Sequence, residues 1–145
     1  MMKSFAQDDP VWVDKILDWR WTWVIARCAL VGIFLVSAIL KASDLPAAVR
    51  EQEALGLHPG LLWASLTIGV QLIGSLLVIS GRLVWLGAGM LGVFTMTAAT
   101  LAHGFWTMQG QARFEAMNVF LEHIGLTAGL VLVALVAEHA RRRDN

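Results

Sequence analysis

Lys41, Asp44, Glu53, His103, Asn118 and Glu122 are the side chains best placed to do chemistry, because each lies within or beside a long apolar run. Charge in hydrocarbon is costly unless it is paired or hydrated, so ionisable groups there mark a site or a strong structural contact. A carboxylate such as Glu122 can exchange protons or contact a ligand; it can equally hold two helices in register through an ion pair, and residue type leaves both readings open. His103, followed by Phe105 and Trp106, reads either as the mouth of an aromatic-lined site for a flat molecule such as a quinone or as an interfacial belt with a histidine at a helix end. His103, Glu122 and His123 are metal-ligand types. Neighbours on a helix are about 100° apart, however, so Glu122 and His123 are not expected to face one point. No HxxxH or CxxC spacing occurs, and no metal site is expected. His123 is expected to be an interfacial histidine bonded to a neighbour.

Arg27 stands apart from this group. Fourteen residues before Lys41 is about 21 Å along a helix, which places it near the opposite end of the same span. There it is expected to snorkel or to meet Asp18 or Glu138. Cys28 has no second cysteine to pair with and reads as a small core residue.

The elements that must position these groups follow from the apolar blocks. The chain has 145 residues, of which 57% are hydrophobic and 15% charged, with a mean hydropathy of +0.65. That is a membrane composition. Its formal charge is zero, so nothing suggests nucleic acid as a partner. Spans are expected at 21–40, 61–80, 83–102 and 116–137. Residues 1–20 place Trp12, Ile16, Trp19 and Trp23 at helical spacing, as an amphipathic interfacial helix would. A short surface helix is expected after Asp44, whose side chain can cap it, and Gly81-Arg82 reads as a tight turn. Residues 138–145 form a basic tail.

Four spans place both termini on one side. Lys3, Lys15, Arg20, Arg82 and Arg141, Arg142 and Arg143 fall there, against Lys41, Arg50 and Arg113 opposite. Positive charge is retained in the cytoplasm, so both termini are expected to be cytoplasmic and the helix between the first two spans extracytoplasmic. Trp12, Trp19, Trp21, Trp23 and Trp85 fall at the same ends, with Trp63 and Trp106 at the other.

The expected fold is an all-α, integral membrane four-helix bundle. In lipid, small and polar residues mark the faces that meet. Such stripes are Arg27, Val31, Phe34, Ala38 and Lys41 on the first span, and Gly60, Ala64, Thr67, Gln71, Gly74 and Gly81 on the second. Ala88, Gly92, Thr95, Ala99 and His103 form the third, and Asn118, Glu122, Gly125 and Gly129 the fourth. These stripes direct Lys41, Asp44, His103, Asn118 and Glu122 into one polar cluster in the outer half of the bundle.

Arg27, Lys41-x-x-Asp44-Leu45-Pro46, Glu53-Ala54-Leu55-Gly56-Leu57-His58-Pro59, Gly81-Arg82 and Ala102-His103-Gly104-Phe105-Trp106 occur in an order and spacing that resembles the DoxX family of small four-helix bacterial membrane proteins. The resemblance runs from about Arg27 to Val136. It implies a bacterial inner-membrane protein, some of whose relatives are associated with a thiosulfate:quinone oxidoreductase or other redox complexes. Where members often carry Lys-Asn early in the fourth helix, this chain has Glu122-His123.

Two functions are therefore expected to compete. One is an accessory subunit of a redox or quinone-linked system with a polar small-molecule site. The other is a non-enzymatic membrane scaffold or assembly partner for other protein subunits or for a second copy. The chain carries no electron-carrier motif, which points away from a complete oxidoreductase.

Overall fold

The computed structural model describes residues 10–143. Among them there is no strand, and the six α-helices are α1 (Val11–Leu17), α2 (Arg20–Ser43), α3 (Leu45–Ala54), α4 (Gly60–Ser80), α5 (Val84–Ala102) and α6 (Gly110–Arg143). Helices α2, α4, α5 and α6 are the four long and apolar enough to cross a membrane. Residues 1–9, including Lys3, lie outside the described residues. The described part of the expected N-terminal helix is α1, with Trp12 and Ile16 exposed, and the chain breaks at Asp18 before α2 begins.

Local chemistry sets the helix ends. The Ala47 N–H donates to Asp44 Oδ1 at 3.0 Å, and Pro46 occupies the first turn of α3, where its missing N–H costs nothing. Helix α4 stops at Gly81, whose φ of 75° is a left-handed cap that a Cβ would strain. Helix α6 starts earlier and ends later than the expected span. Its 34 residues make about 51 Å, well beyond a hydrocarbon core of about 30 Å. The connector from His103 is short as a result, a single 3-10 turn at Phe105–Thr107.

The helices pack in chain order, α2 on α4, α4 on α5 and α5 on α6, while α2 and α6 touch only briefly. The tightest contact is between α4 and α5. A Cβ built on Gly87 would lie 2.6 Å from the Gly74 carbonyl oxygen and 2.8 Å from Leu77 Cβ; one on Gly74 would lie 2.7 Å from Leu91 Cγ. Small residues here let two backbones meet, the packing mode expected where lipid supplies no hydrophobic drive. At the end of the bundle that carries the termini, Val31, Phe34, Val78, Val84, Ala88, Leu91, Leu130 and Val133 close a continuous apolar core.

The small-residue stripes of α4 and α5 are buried nearly as expected: Ala64, Thr67, Gln71 and Gly74 on α4, Ala88, Gly92, Thr95 and Ala99 on α5. On α2, Val31, Phe34 and Ala38 are buried. Helix α6 departs from the expectation. Its buried residues are Ala116, Leu130 and Val133; Gly125 is exposed with nothing within 4 Å of a Cβ, and Glu122 is exposed. Helix α5 already presents the small residues, so α6 supplies large ones that fill them; Gly125 turns away, while Gly129 stays half-buried with a Cβ position 3.1 Å from Leu30 Cδ1 of α2.

Gly87→Val is expected to lower stability by about 1–3 kcal/mol through overpacking at the α4–α5 contact. Gly89→Ala, two residues on in open space, is expected to be neutral or mildly stabilising. Thermal unfolding of the two variants in one detergent checks the difference.

Candidate functional site

Because α2 and α6 diverge away from the apolar core, the other half of the bundle opens as a cleft of about 380 Å³. Ser37 of α2, Gln71 of α4, Thr95 of α5, and Glu122 and His123 of α6 line it, among Phe34, Phe94 and Leu126. Gln71 is buried there, 4% exposed. Its Nε2 donates to Ser37 Oγ at 3.1 Å, while its Oε1 is buried without a partner. One turn further on the same helix, Ser75 is fully enclosed and its Oγ is also unpartnered. Buried polar atoms are nearly always satisfied, so unmet hydrogen-bonding capacity beside a cleft is a reason to look for a ligand.

Sequence reasoning placed Gln71 on a packing face and did not count it among the site residues. The available signal was its type, a carboxamide in the middle of an apolar span.

The expected single polar cluster separates into distinct places. Lys41 forms an ion pair with Glu51 of α3, and with Asp44 the two line a shallow hollow between α2 and α3. That hollow shares Ile33 and Ser37 with the cleft, so the two are neighbours along α2. Glu53 packs its stem over the start of α4, where a Cβ on Gly60 would lie 2.6 Å from Glu53 Cγ. Asn118 is half-buried on α6, one turn before Glu122.

His123 was expected to point away from the site, and the opposite holds. It is half-buried, lines the cleft and packs its ring against His103, with centroids 5.4 Å apart. Glu122 takes the outer position at the mouth, exposed. The rotation of α6 that brings Leu130 and Val133 into the core brings His123 in with them, at the heptad-like spacing of seven and ten residues. The expected hydrogen bond of His123 to a neighbour is present: Nδ1 lies 2.7 Å from the Val119 carbonyl oxygen. A carbonyl can only accept, so Nδ1 carries the proton and Nε2 of the neutral ring is left as an acceptor.

Above the histidines, Phe105, Trp106 and Phe120 meet edge to face at 5.3–6.0 Å. Trp106 is 56% exposed and belongs to this cap, not to the cleft wall. Among the described residues no group of three or more His, Cys, Asp or Glu side chains could hold a metal ion.

Arg27 meets neither Asp18 nor Glu138. Its Nη1 donates to the Val78 carbonyl oxygen at 3.3 Å, its guanidinium lies 5.3 Å from the Trp23 ring centroid, and a Cβ on Gly81 would be 2.9 Å from Nη1. A cation thus caps the carbonyl end of α4, where the helix dipole favours positive charge. Glu138 is taken by Arg141 and Arg142.

These features define a class: a small all-α, multi-pass membrane protein whose four apolar helices pack as an open four-helix bundle with a cleft in one half that holds a few polar groups. The DoxX family model matches residues 22–104, more than half of the chain, from the start of α2 to just past α5. The chain belongs to the DoxX family, a group of small membrane proteins some of which are associated with redox systems. Helix α6, with Glu122 and His123, lies beyond the matched residues. Comparison with curated proteins and with solved structures finds no match.

Replacing Gln71 with Leu removes a buried unpartnered acceptor together with one hydrogen bond to Ser37. The expected outcome is unchanged or higher stability, by up to about 1 kcal/mol, in thermal unfolding. Arg27→Met, which uncaps α4, is expected to cost about 1–2 kcal/mol in the same measurement.

Proposed function

We propose that this DoxX-family chain is an accessory subunit of a redox, quinone-linked membrane system and that its cleft holds the small molecule. The observation that carries the reading is the partnerless Oε1 of Gln71 in a half-open, largely apolar cleft. The groups offered there are acceptors: Gln71 Oε1, the Nε2 of His123 and the Glu122 carboxylate. A matching ligand is flat and apolar and donates hydrogen bonds, as the hydroxyl-bearing reduced form of a quinone does. Glu122 and His123 would accept its protons, His103 would pass them toward the end of the bundle, and Lys41, Asp44 and Glu53 would hold α3 beside the site. Asn118 and Trp106 would flank the mouth. Electrons would leave through another subunit, because the chain has no electron-carrier motif of its own.

On this reading the protein resides in a bacterial inner membrane with both termini cytoplasmic. Residues 10–20 lie at the interface, 21–137 form the membrane domain, and the end of α6 from 138 to 143 lies in the cytoplasm. The basic residues at the terminal end, Arg20, Arg82 and Arg141 to Arg143, support that orientation.

A scaffold role is the second reading, and one observation favours it. Glu122 is exposed at the open α2–α6 seam and no cation among the described residues pairs with it, so a helix of another subunit could complete the bundle there.

Purification in mild detergent followed by mass spectrometry of bound small molecules and proteins tests both. The expected result is a co-purifying quinone or quinol, with reduced ligand at a hundred times its Kd raising stability by about 2.7 kcal/mol. Gln71→Leu should keep the fold and lose that gain. A ligand-free chain that no quinol stabilises would sink the reading. Recovery of a partner protein that Glu122→Leu releases would favour the scaffold.

A further inference from the structure

A second recess, unrelated to the cleft, runs along the outer seam of α5 and α6. It has a volume of about 670 Å³ and a wall made of Gly92, Met96, Thr127, Val131 and Leu135. At the end of the bundle that carries the termini it runs into a polar pocket of about 390 Å³; the two share Trp85, Ala134 and Glu138. The apolar part extends along α5 from Thr97 to Trp85, twelve residues or about 18 Å, slightly more than one leaflet of a hydrocarbon core about 30 Å thick.

Trp85 is 61% exposed at the junction of groove and pocket. Indole rings prefer the headgroup level, so the apolar part falls at acyl-chain depth and the polar pocket at headgroup depth.

The pocket is lined by Gly81, Leu83, Glu138 and Arg141. The one acid among these lining residues, Glu138, is bound by two arginines, Arg141 at 2.8 Å and Arg142 at 2.7 Å. Arg82 sits between two of the lining residues, and Arg143 follows on α6. Among the described residues, the segments that flank the pocket therefore carry more arginines than acids. A groove one leaflet deep that opens on a pocket flanked by arginines matches one acyl chain bearing an anionic headgroup.

We propose that the α5–α6 groove seats one anionic glycerophospholipid, with an acyl chain along Gly92 to Leu135 and its phosphate in the arginine-rimmed pocket beside Trp85. The site sits on a different face from the cleft and stands whether or not the cleft binds a quinol. Bound there, the lipid would cover the α5–α6 seam and tie the start of α5 to the end of α6.

The test is native mass spectrometry of the full chain in detergent with phosphatidylglycerol and phosphatidylethanolamine of matched acyl chains at equal concentration. One phosphatidylglycerol per chain is expected, retained in preference to phosphatidylethanolamine. Val131→Trp fills the groove from an exposed position and is expected to abolish retention while the unfolding temperature stays that of the wild type; Leu135→Trp serves in its place if that chain does not fold. The double variant Arg82→Gln and Arg142→Gln is expected to weaken phosphatidylglycerol about thirtyfold and leave phosphatidylethanolamine unchanged, from roughly fivefold per basic residue at an anionic surface. Equal retention of the two lipids, or full retention by folded groove-filling variants, would overturn the proposal. So would a dimer that Val131→Trp dissolves, because the groove would then belong to a second copy.

Discussion

The close approach of α4 and α5 at Gly74 and Gly87 is the contact on which the rest of the molecule depends. Two backbones in van der Waals reach leave no space for side chains between them, so these helices form a thin central wall. Helix α2 can pack only on the α4 side of that wall and α6 only on the α5 side. The bundle is therefore a row of helices that curves without closing fully. The apolar core seals it where Phe34, Leu91 and Leu130 fill the interior. Farther along, the interior is lined by Ser37, Gln71 and Thr95, and the seam between the first and last spans stays open.

That asymmetry separates structure from chemistry along the membrane normal. At the terminal end, Arg27 caps the carbonyl end of α4 through Nη1 while its Nε stays unpartnered, and Glu138 sits between two arginines. In the open half, hydrogen-bonding capacity is left over. Gln71 and Ser75 keep atoms that the helices do not satisfy, and the His123 tautomer set by Val119 leaves a ring nitrogen as an acceptor. A bundle selected for stability alone would fill this half with leucine and methionine, since burying unsatisfied polar atoms costs free energy. Their retention is the physical reason for reading the open half as the functional one.

Much of this was legible in one dimension because helices in lipid must satisfy their own backbone. That rule makes apolar run length a reliable guide to α2, α4 and α5, and it makes Asp44, Pro46 and Gly81 readable as helix ends. The small-residue stripes of α4 and α5 were readable too, since their regular spacing allows close packing from either partner. Helix α6 was not. Asn118, Glu122, Gly125 and Gly129 form an equally regular stripe, yet its middle, Glu122 and Gly125, faces out, because packing needs small residues on only one of two partners and α5 already provides them.

What the sequence by itself determined is the number of apolar helices, their order, most of their ends and the chemical types available near one end of the bundle, all properties of local propensity and transfer free energy. Only the tertiary structure decided which of those groups meet. Rotation of α6 about its own axis, set by Leu130 and Val133 entering the core, turned His123 inward and left Glu122 at the mouth. The packing of α3 on α4 drew Lys41 to Glu51 and away from the cleft. The divergence of α2 from α6 exposed Gln71 to a cavity that helical spacing cannot foresee. Helix phase and separation depend on the shapes of several faces at once, and a single chain read in order carries those shapes only implicitly.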